Sequence, residues 1–189
     1  QWTPRRGRRR NHGKPRARSN NPLKDGSKEL KFLADGMLGK LTRWLRMIGC
    51  DVKYENDLDD DELVRIAAEE NRVLLTRDAQ LFGHANKNNV QVYLIKNRSE
   101  TEKLAEIAQQ FNLRLDIDAD NSMCPKCNAL LKPVPKAKVV NRIPEATLHQ
   151  QEEFWECGGC GQIYWHGSHW RKILRTLQDA KALVKPEAQ

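Results

Sequence analysis

Four cysteines in two close pairs place the strongest constraint on the fold of this chain. The pairs are Cys124 with Cys127 and Cys157 with Cys160, and residues 128–156 separate them. Thiolates three residues apart on a tight turn can both reach one Zn²⁺ ion at about 2.3 Å, and two such turns complete its tetrahedral shell. The cysteines therefore predict a small C-terminal zinc ribbon, closed around one structural Zn²⁺.

Two alternatives to a four-cysteine zinc site are open. Disulfides could join the same thiols, but the chain has no signal-peptide pattern and no long apolar run. We therefore expect it to be cytoplasmic, with no membrane partner, in a compartment where disulfides are rare. If one cysteine is not a ligand, a histidine could replace it, and the candidates are His149, His166 and His169.

Three further residues bear on the cysteine chemistry. Asn128 and Gly161, directly after the two pairs, suit the left-handed backbone in which amide N–H groups point at sulfur. The fifth cysteine, Cys50, ends an apolar stretch. We expect Cys50 to be a buried, inert thiol rather than a nucleophile.

Ahead of the ribbon, apolar residues alternate between the periods of strands and helices. Short apolar runs predict strands at 30–34, 52–54, 73–76 and 90–95. Apolar residues on one helical face predict helices at 41–48, from 63 onward and at 104–111. A last helix is predicted to carry Trp170, Ile173, Leu174 and Leu177 on one face. Alternating strands and helices indicate an α/β fold, a parallel sheet with helices on both faces.

Three aspartates stand where these predicted elements begin or end. Asp35 and Asp78 each follow an apolar strand, and Asp61 lies in the first turn of a helix. The carboxyl ends of parallel strands meet at one edge of a sheet, and carboxylate oxygens suit Mg²⁺ or Mn²⁺. We therefore predict a catalytic metal site there. The neighbouring basic residues predicted to hold substrate phosphates are Lys40, Arg43 and Arg77.

Each aspartate taken alone has a simpler interpretation. An Asp after a strand is often the N-cap of the next helix, and a run of acids suits a solvated helix start. That run comprises Asp57, Asp59, Asp60 and Glu62. A signalling receiver domain also carries acids at strand ends, but it needs an acidic doublet after its first strand, where this chain has Asp35-Gly36-Met37. The metal-site prediction therefore depends on the three acids lying together.

Positive charge is concentrated at one end of the chain. Residues 1–31 have a net charge of +9 in a chain whose total is +8. We predict that residues 1–29 form a disordered basic tail whose partner is RNA, with ribosomal RNA or the ribosome as a specific hypothesis. A solvating extension, a localisation signal and an expression leftover are the alternatives. The chain begins with Gln1 rather than Met, which fits a fragment or a processed product.

Several separated motifs occur together in this chain. They are Phe32-Leu-Ala-Asp-Gly-Met-Leu-Gly-Lys-Leu-Thr-Arg-Trp-Leu-Arg46, Leu74-Leu-Thr-Arg-Asp78, Phe154-Trp-Glu-Cys157 and Ile163-Tyr-Trp-His-Gly167. This set, spanning about residues 30–178, resembles the Mut7-C ribonuclease domain family. The resemblance implies a PIN-like nuclease fold with an appended zinc ribbon, and catalytic metal binding by Asp35, Asp61 and Asp78. Asp60 or Glu62 could take the place of Asp61.

The resemblance leaves the number of catalytic ions open. Many PIN nucleases carry a fourth acid soon after the third, and residues 79–89 contain none.

The aromatic side chains of the ribbon have two interpretations: they either stack on unpaired bases or form the core of the module. They are Trp155, Tyr164, Trp165 and Trp170, near Arg171, Lys172 and Arg175. We favour the core for Trp155 and Trp165 and leave the role of Trp170 open.

We therefore predict three segments. They are a basic tail (1–29), a PIN-like nuclease domain (30–118) and a zinc ribbon with a closing helix (119–180). The predicted function is metal-dependent hydrolysis of phosphodiester bonds in single-stranded RNA, either endonucleolytic or exonucleolytic. The alternative is a non-catalytic RNA-binding or ribosome-associated module in which the acids are helix caps and the only metal is zinc.

Overall fold

A computed structural model describes residues 30–184 of the chain. The basic tail predicted at 1–29 lies outside the described residues. The elements in chain order are β1 (Lys31–Ala34), α1 (Gly39–Met47), β2 (Asp51–Tyr54), α2 (Asp60–Glu69), β3 (Val73–Thr76), α3 (Ala79–Lys87), β4 (Val92–Leu94), α4 (Glu100–Gln110), β5 (Leu131–Val134), α5 (Glu145–Gln150), β6 (Phe154–Cys157), β7 (Ile163–Tyr164) and α6 (Trp170–Leu183). Two single 3₁₀ turns, Gly36–Leu38 and Lys136–Lys138, complete the set.

The first four strands form one sheet in the order β2-β1-β3-β4. Every neighbouring pair is parallel, and Ala34 at the end of β1 pairs with Tyr54 on one side and Leu75 on the other. All four carboxyl ends therefore lie at one edge of the sheet. The predicted α/β architecture is confirmed.

Helices cover both faces of this sheet because its strands are apolar on both sides. On β1, Phe32 and Ala34 pack in one cluster with α1, α4 and α6. Leu33, between them, packs in a second cluster with α2 and α3. The alternation follows from the two-residue repeat of a strand, and it explains why the core strands read as continuous apolar runs.

The C-terminal module contains a second, antiparallel sheet in the order β5-β6-β7. Trp155 is buried in one small cluster with Cys124 and Cys157, and Trp165 packs against a second one. A module of this size has few other side chains to bury. The core role expected for these two tryptophans is confirmed.

The last helix, α6, returns to the first sheet and packs against α4. Leu177 and Ala180 are buried in the same cluster as Phe32. Leu174, which the apolar period places on the same helical face as Leu177, is 40% exposed. Among the described residues, no helix is both long and apolar enough to cross a membrane.

The first cysteine turn is tied to the outer edge of the first sheet. Asn128 accepts a hydrogen bond at Oδ1 from the N–H of Val52 (3.0 Å) and donates one from Nδ2 to Asp51 (2.7 Å). Arg46, only 5% exposed, donates through Nε and Nη2 to the carbonyl of Val52 and through Nη1 to the carbonyl of Pro125. Both backbone polar groups of Val52 are therefore satisfied by side chains at the junction of sheet and ribbon.

Charge is balanced at this junction. Arg72 donates to both carboxylate oxygens of Asp51, at 2.9 and 3.3 Å. Burial alone would raise the pKa of Asp51, but the hydrogen bonds from Arg72 and Asn128 outweigh it and hold that pKa below its usual value. Burial lowers the pKa of Arg46, but a guanidinium is basic enough to stay charged.

Candidate active site and metal centre

Asp35 and Asp78 follow the adjacent strands β1 and β3, and the side chain of Thr76 joins them. Its Oγ1 donates to Oδ2 of Asp35 at 2.8 Å and accepts from the backbone N–H of Asp78 at 2.9 Å. Thr76 is fully buried, so these bonds are shielded from water. The sheet therefore brings two of the three predicted acids to the same edge.

Each of these two acids also has a structural role. Asp78 is the N-cap of α3, because its Oδ1 accepts from the N–H groups of Gln80 (2.6 Å) and Leu81 (3.2 Å). The second oxygen, Oδ2, accepts no hydrogen bond from residues 30–184. Asp35 caps the 3₁₀ turn after β1 through a longer contact of 3.4 Å to the N–H of Met37. Capping therefore leaves part of the Asp78 carboxylate open.

Gly39, the first residue of α1, makes room for Tyr54. The Tyr54 hydroxyl donates to the carbonyl of Gly36 at 2.8 Å. A Cβ atom on Gly39 would lie 2.7 Å from the same hydroxyl, so a side chain at position 39 would displace the tyrosine. The contact fixes the loop that carries Asp35 into α1.

Asp61 lies in the first turn of α2 and is paired with a histidine. Its Oδ1 lies 2.8 Å from Nε2 of His84 on α3, and 87% of the Asp61 side chain is exposed. The N-cap of α2 is instead Asp59, which forms a capping box with Glu62. In this conformation Asp61 contacts His84 rather than Asp35 or Asp78, and its role as a metal ligand stays a prediction.

Negative charge at this edge of the sheet is not neutralised by nearby side chains. Neither Asp35 nor Asp78 forms an ion pair with a Lys or Arg of residues 30–184. The helices α1, α2 and α3 all begin at this edge, where helix N-termini favour anions. Lys40, Arg43 and Arg77 are exposed near these N-termini. Two uncompensated carboxylates suit a hard cation, and the surrounding positive groups suit phosphate.

The four cysteines form the second centre. Their Sγ atoms all lie within 4.8 Å of one another, and no other group of three or more His, Cys, Asp and Glu residues in the described part of the chain is as close. The separations are 3.8 Å for Cys124–Cys160 and 3.3 Å for Cys127–Cys157. Four thiolates about 2.3 Å from one Zn²⁺ ion would be about 3.8 Å apart. The cluster therefore fits a tetrahedral zinc site, and no disulfide joins these cysteines.

Hydrogen bonds orient the cysteine ligands. The N–H groups of Gly159 and Cys160 point at Sγ of Cys157, both at 3.4 Å, and the Tyr164 hydroxyl lies 3.1 Å from Sγ of Cys124. Burial and the neighbouring Cys124 raise the pKa of Tyr164, so the phenol keeps its proton and can donate it to a thiolate. Such outer donors fix ligand geometry in metal sites.

The backbone around the cysteines behaves as expected. Asn128 and Gly161 have φ angles of 70° and 71°, which confirms the predicted left-handed conformation at both positions. None of the three histidines joins the cluster of four sulfurs. His166 is instead stacked on Trp170, with ring centroids 4.0 Å apart.

Three residues near the acids were not singled out from the sequence. Thr76 follows an apolar strand and is the residue before Arg77-Asp78, so its position in the motif was the available signal. His84 and Tyr54 carry no such signal, because each reaches the site from another element. Their contacts depend on how α3 and β2 pack in the folded chain.

A comparison with protein families agrees with this geometry. A family model described as the Mut7-C RNAse domain matches residues 30–177, which include both sheets and most of α6. A search of curated proteins found no match, and neither did a search of solved structures. The family description points to nuclease action on RNA.

Proposed function

Because the chain belongs to the Mut7-C RNAse domain family, we propose that it is a metal-dependent ribonuclease acting on single-stranded RNA. The observation that carries the proposal is the pair of uncompensated carboxylates, Asp35 and Asp78, held at adjacent strand ends by Thr76. Carboxylates without a cationic partner are suitable ligands for a divalent cation. The proposed substrate is RNA, and ribosomal RNA remains a hypothesis that rests on residues 1–29.

The proposed metal ligands are Asp35, Asp61 and Asp78, with Mg²⁺ or Mn²⁺ as the ion. A bound ion of this kind supplies Lewis acidity and lowers the pKa of coordinated water. Asp78 can offer Oδ2 without giving up its cap on α3. Asp61 has to turn away from His84 first, and its high exposure leaves room for that rotation.

The remaining roles follow from position and charge. Thr76 orients the carboxylate of Asp35, and the N-termini of α1 and α3 favour the phosphate of the substrate. Lys40, Arg43 and Arg77 are proposed to hold the neighbouring phosphates, since exposed cations can move to meet a flexible strand. The zinc ribbon is proposed to support the sheet through Arg46 and Asn128 and to extend the RNA-binding surface.

Cleavage of end-labelled RNA tests the proposal directly. Zinc-loaded protein is incubated with single-stranded RNA labelled at either end, with Mn²⁺, with Mg²⁺ and without added divalent cation. Asp35→Asn and Asp78→Asn are compared with Asp57→Asn, which removes the same charge from a residue that is not a proposed ligand. Asn is as good an N-cap as Asp, so Asp78→Asn keeps α3 and loses only charge.

The two outcomes separate the candidate functions. Metal-dependent cleavage that persists in Asp57→Asn and falls at least about 100-fold in the other two variants supports the nuclease, and the product ladder distinguishes endonucleolytic from exonucleolytic cutting. RNA binding without cleavage, equal in all four proteins, would instead assign a non-catalytic RNA-binding module. The capping role of Asp78 is the observation that favours this second function.

A further inference from the structure

A small apolar cavity lies where the ribbon meets α1 and α6. Its volume is about 110 Å³. Its lining includes Met47, Met123, Leu131, Trp155, His166 and Trp170. An engineered apolar cavity of roughly 150 Å³ accepts one benzene molecule, so this smaller space can receive the edge of a flat ring at its mouth but cannot enclose a whole nucleobase.

Three aromatic rings are stacked along one wall of the cavity. His166 lies between the indoles of Trp170 and Trp155, with centroids 4.0 and 4.9 Å away and interplanar angles of 22° and 39°. Burial lowers the pKa of His166, so its imidazole is neutral near pH 7 and offers one donor and one acceptor. The imidazole nitrogens and the indole N–H of Trp170 make no hydrogen bond within residues 30–184. The wall thus combines ring faces with open hydrogen-bonding groups.

Charge around the cavity is asymmetric. Arg171, Lys172 and Arg175 are exposed on the first turns of α6, beside Trp170, and none forms an ion pair with the described residues. A neighbouring groove that also borders Trp155 is lined by four acids, Asp118, Asp120, Glu152 and Glu153, and by one cation, Lys136, which pairs with Glu152. A polyanion bound at the mouth of the cavity would therefore extend along α6 and away from the acidic groove.

We propose that one unpaired nucleobase of single-stranded RNA stacks on Trp170 at the mouth of this cavity, beside the edge of His166, with the adjoining phosphates on Arg171 and Arg175. Ring stacking and an exposed cationic helix are the two components of sequence-tolerant single-strand binding. The identity of the ligand as RNA rests on the proposed function. The acidic groove makes a second protein chain with a basic segment the competing occupant, and the test below excludes or reveals it.

The subsite lies at a distance from the proposed acids. Met47, in the cavity lining, ends α1, whose first residue Gly39 follows the Asp35 loop. A nine-residue helix is about 13 Å long. The site therefore holds a nucleotide remote from the scissile bond and contributes to substrate binding rather than to chemistry.

Binding to the full-length Asp78→Asn protein tests the proposal without relying on cleavage. Single-stranded RNA oligomers carry the fluorescent base 2-aminopurine at one position each, and fluorescence is titrated without divalent cation. We expect quenching at one or two positions, because a base stacked on indole loses its emission. Quenching at no position would overturn the proposal, and this readout needs no change at the cavity itself.

Substitutions at the cavity give a second measurement. Trp170→Leu removes the ring and is expected to weaken affinity about tenfold and abolish quenching, whereas Trp170→Phe keeps a ring and stays within about threefold. Arg171→Gln with Arg175→Gln should reduce the salt slope of log Kd by about 1.4. Arg65→Gln with Lys87→Gln, on the opposite face of the sheet, is the matched control. Equal binding by the Leu and Phe variants would contradict the site.

The nuclease hypothesis and the base-site hypothesis can each be refuted without refuting the other. Quenching that depends on Trp170 in a protein that never cleaves RNA would refute the nuclease and retain the base site. Cleavage without quenching would retain the nuclease and refute the base site. Unchanged RNA binding by Trp170→Leu, together with capture of a basic peptide lost in that variant, would assign the cavity to a protein partner instead.

Discussion

The hydroxyl of Thr76 donates a hydrogen bond of 2.8 Å to the carboxylate of Asp35. The same oxygen accepts a bond from the backbone N–H of Asp78, so one buried group sets the position of both acids. A threonine at the end of a core strand therefore positions both proposed metal ligands. Removing its hydroxyl tests this positioning while both carboxylates stay in place.

Thr76→Val keeps the shape of the side chain and removes its hydroxyl. We expect a loss of about 1–3 kcal/mol in the free energy of unfolding, because the Asp78 N–H loses its buried partner. Cleavage should fall about 10–100-fold as Asp35 loses its orientation. Urea unfolding and single-turnover cleavage measure the two effects. Thr76→Ser keeps the hydroxyl and is the control; a Val variant as active as the Ser variant would contradict the positioning role.

Divalent metal should stabilise the protein through the same acids. At a Mg²⁺ or Mn²⁺ concentration of about 100 Kd, binding contributes about 2.7 kcal/mol, which raises Tm by roughly 5–10 °C in a chain of this size. Asp78→Asn keeps the α3 cap and is expected to abolish the rise. Thermal unfolding of the zinc-loaded proteins measures it, with Asp57→Asn as the charge-matched control. An unchanged Tm in the unsubstituted protein would refute a carboxylate metal site.

Asn128 joins the first cysteine turn to the sheet. Asn128→Gly keeps the left-handed backbone but deletes both hydrogen bonds, and it is expected to cost about 1–3 kcal/mol in unfolding free energy. Asn128→Ala adds about 1–2 kcal/mol for a Cβ at positive φ. Asn112→Gly is the matched control, because Asn112 has a φ of 51° and an exposed side chain. If Asn128→Gly and Asn112→Gly had equal free energies of unfolding in urea, Asn128 would not stabilise the junction.

The five cysteines should divide into two classes by reactivity. Burial raises the pKa of Cys50 to about 12, whereas we expect the other four to be protected by a bound zinc ion and by the turns that it holds closed. After chelation of zinc, we expect a disulfide reagent to titrate four thiols quickly and the fifth only in denaturant. In Cys50→Ala we expect the four fast-reacting thiols to remain and the fifth, which reacts only in denaturant, to be absent. Five thiols reacting together after chelation would show that Cys50 is not independently buried.

The strands and most helices of the first sheet were predictable because their signals are local. Each apolar run coincides with a strand, and the acidic run before Leu63 marks the start of α2. The helix α3 was missed. It buries only Leu81 and Ala85, and it contains Gly83, so its apolar period is faint. The sequence signal for the start of α3 was Asp78, which is its N-cap.

Contacts between distant segments could not be predicted from the sequence. The ribbon strand β5 contains Pro133 and exposes Lys132, so it has no clear two-residue period. Arg46 lies in a helix, where a charged side chain normally indicates solvent, yet here it is buried against β2 and the cysteine turn. The pairing of Asp61 with His84 likewise depends on the packing of α2 against α3.

The bonds that Arg46 and Asn128 make to Val52 have a consequence for solubility. β2 is the outermost strand on its side of the sheet, and its free N–H and C=O groups would form a template on which a second molecule could add a strand. At Val52 these groups are not free, because its carbonyl accepts from Arg46 and its N–H donates to Asn128 of the first cysteine turn. The first cysteine turn therefore blocks edge-to-edge pairing at Val52, and we expect that its unfolding, for example on removal of a bound zinc ion, would open this edge to a second copy of the chain.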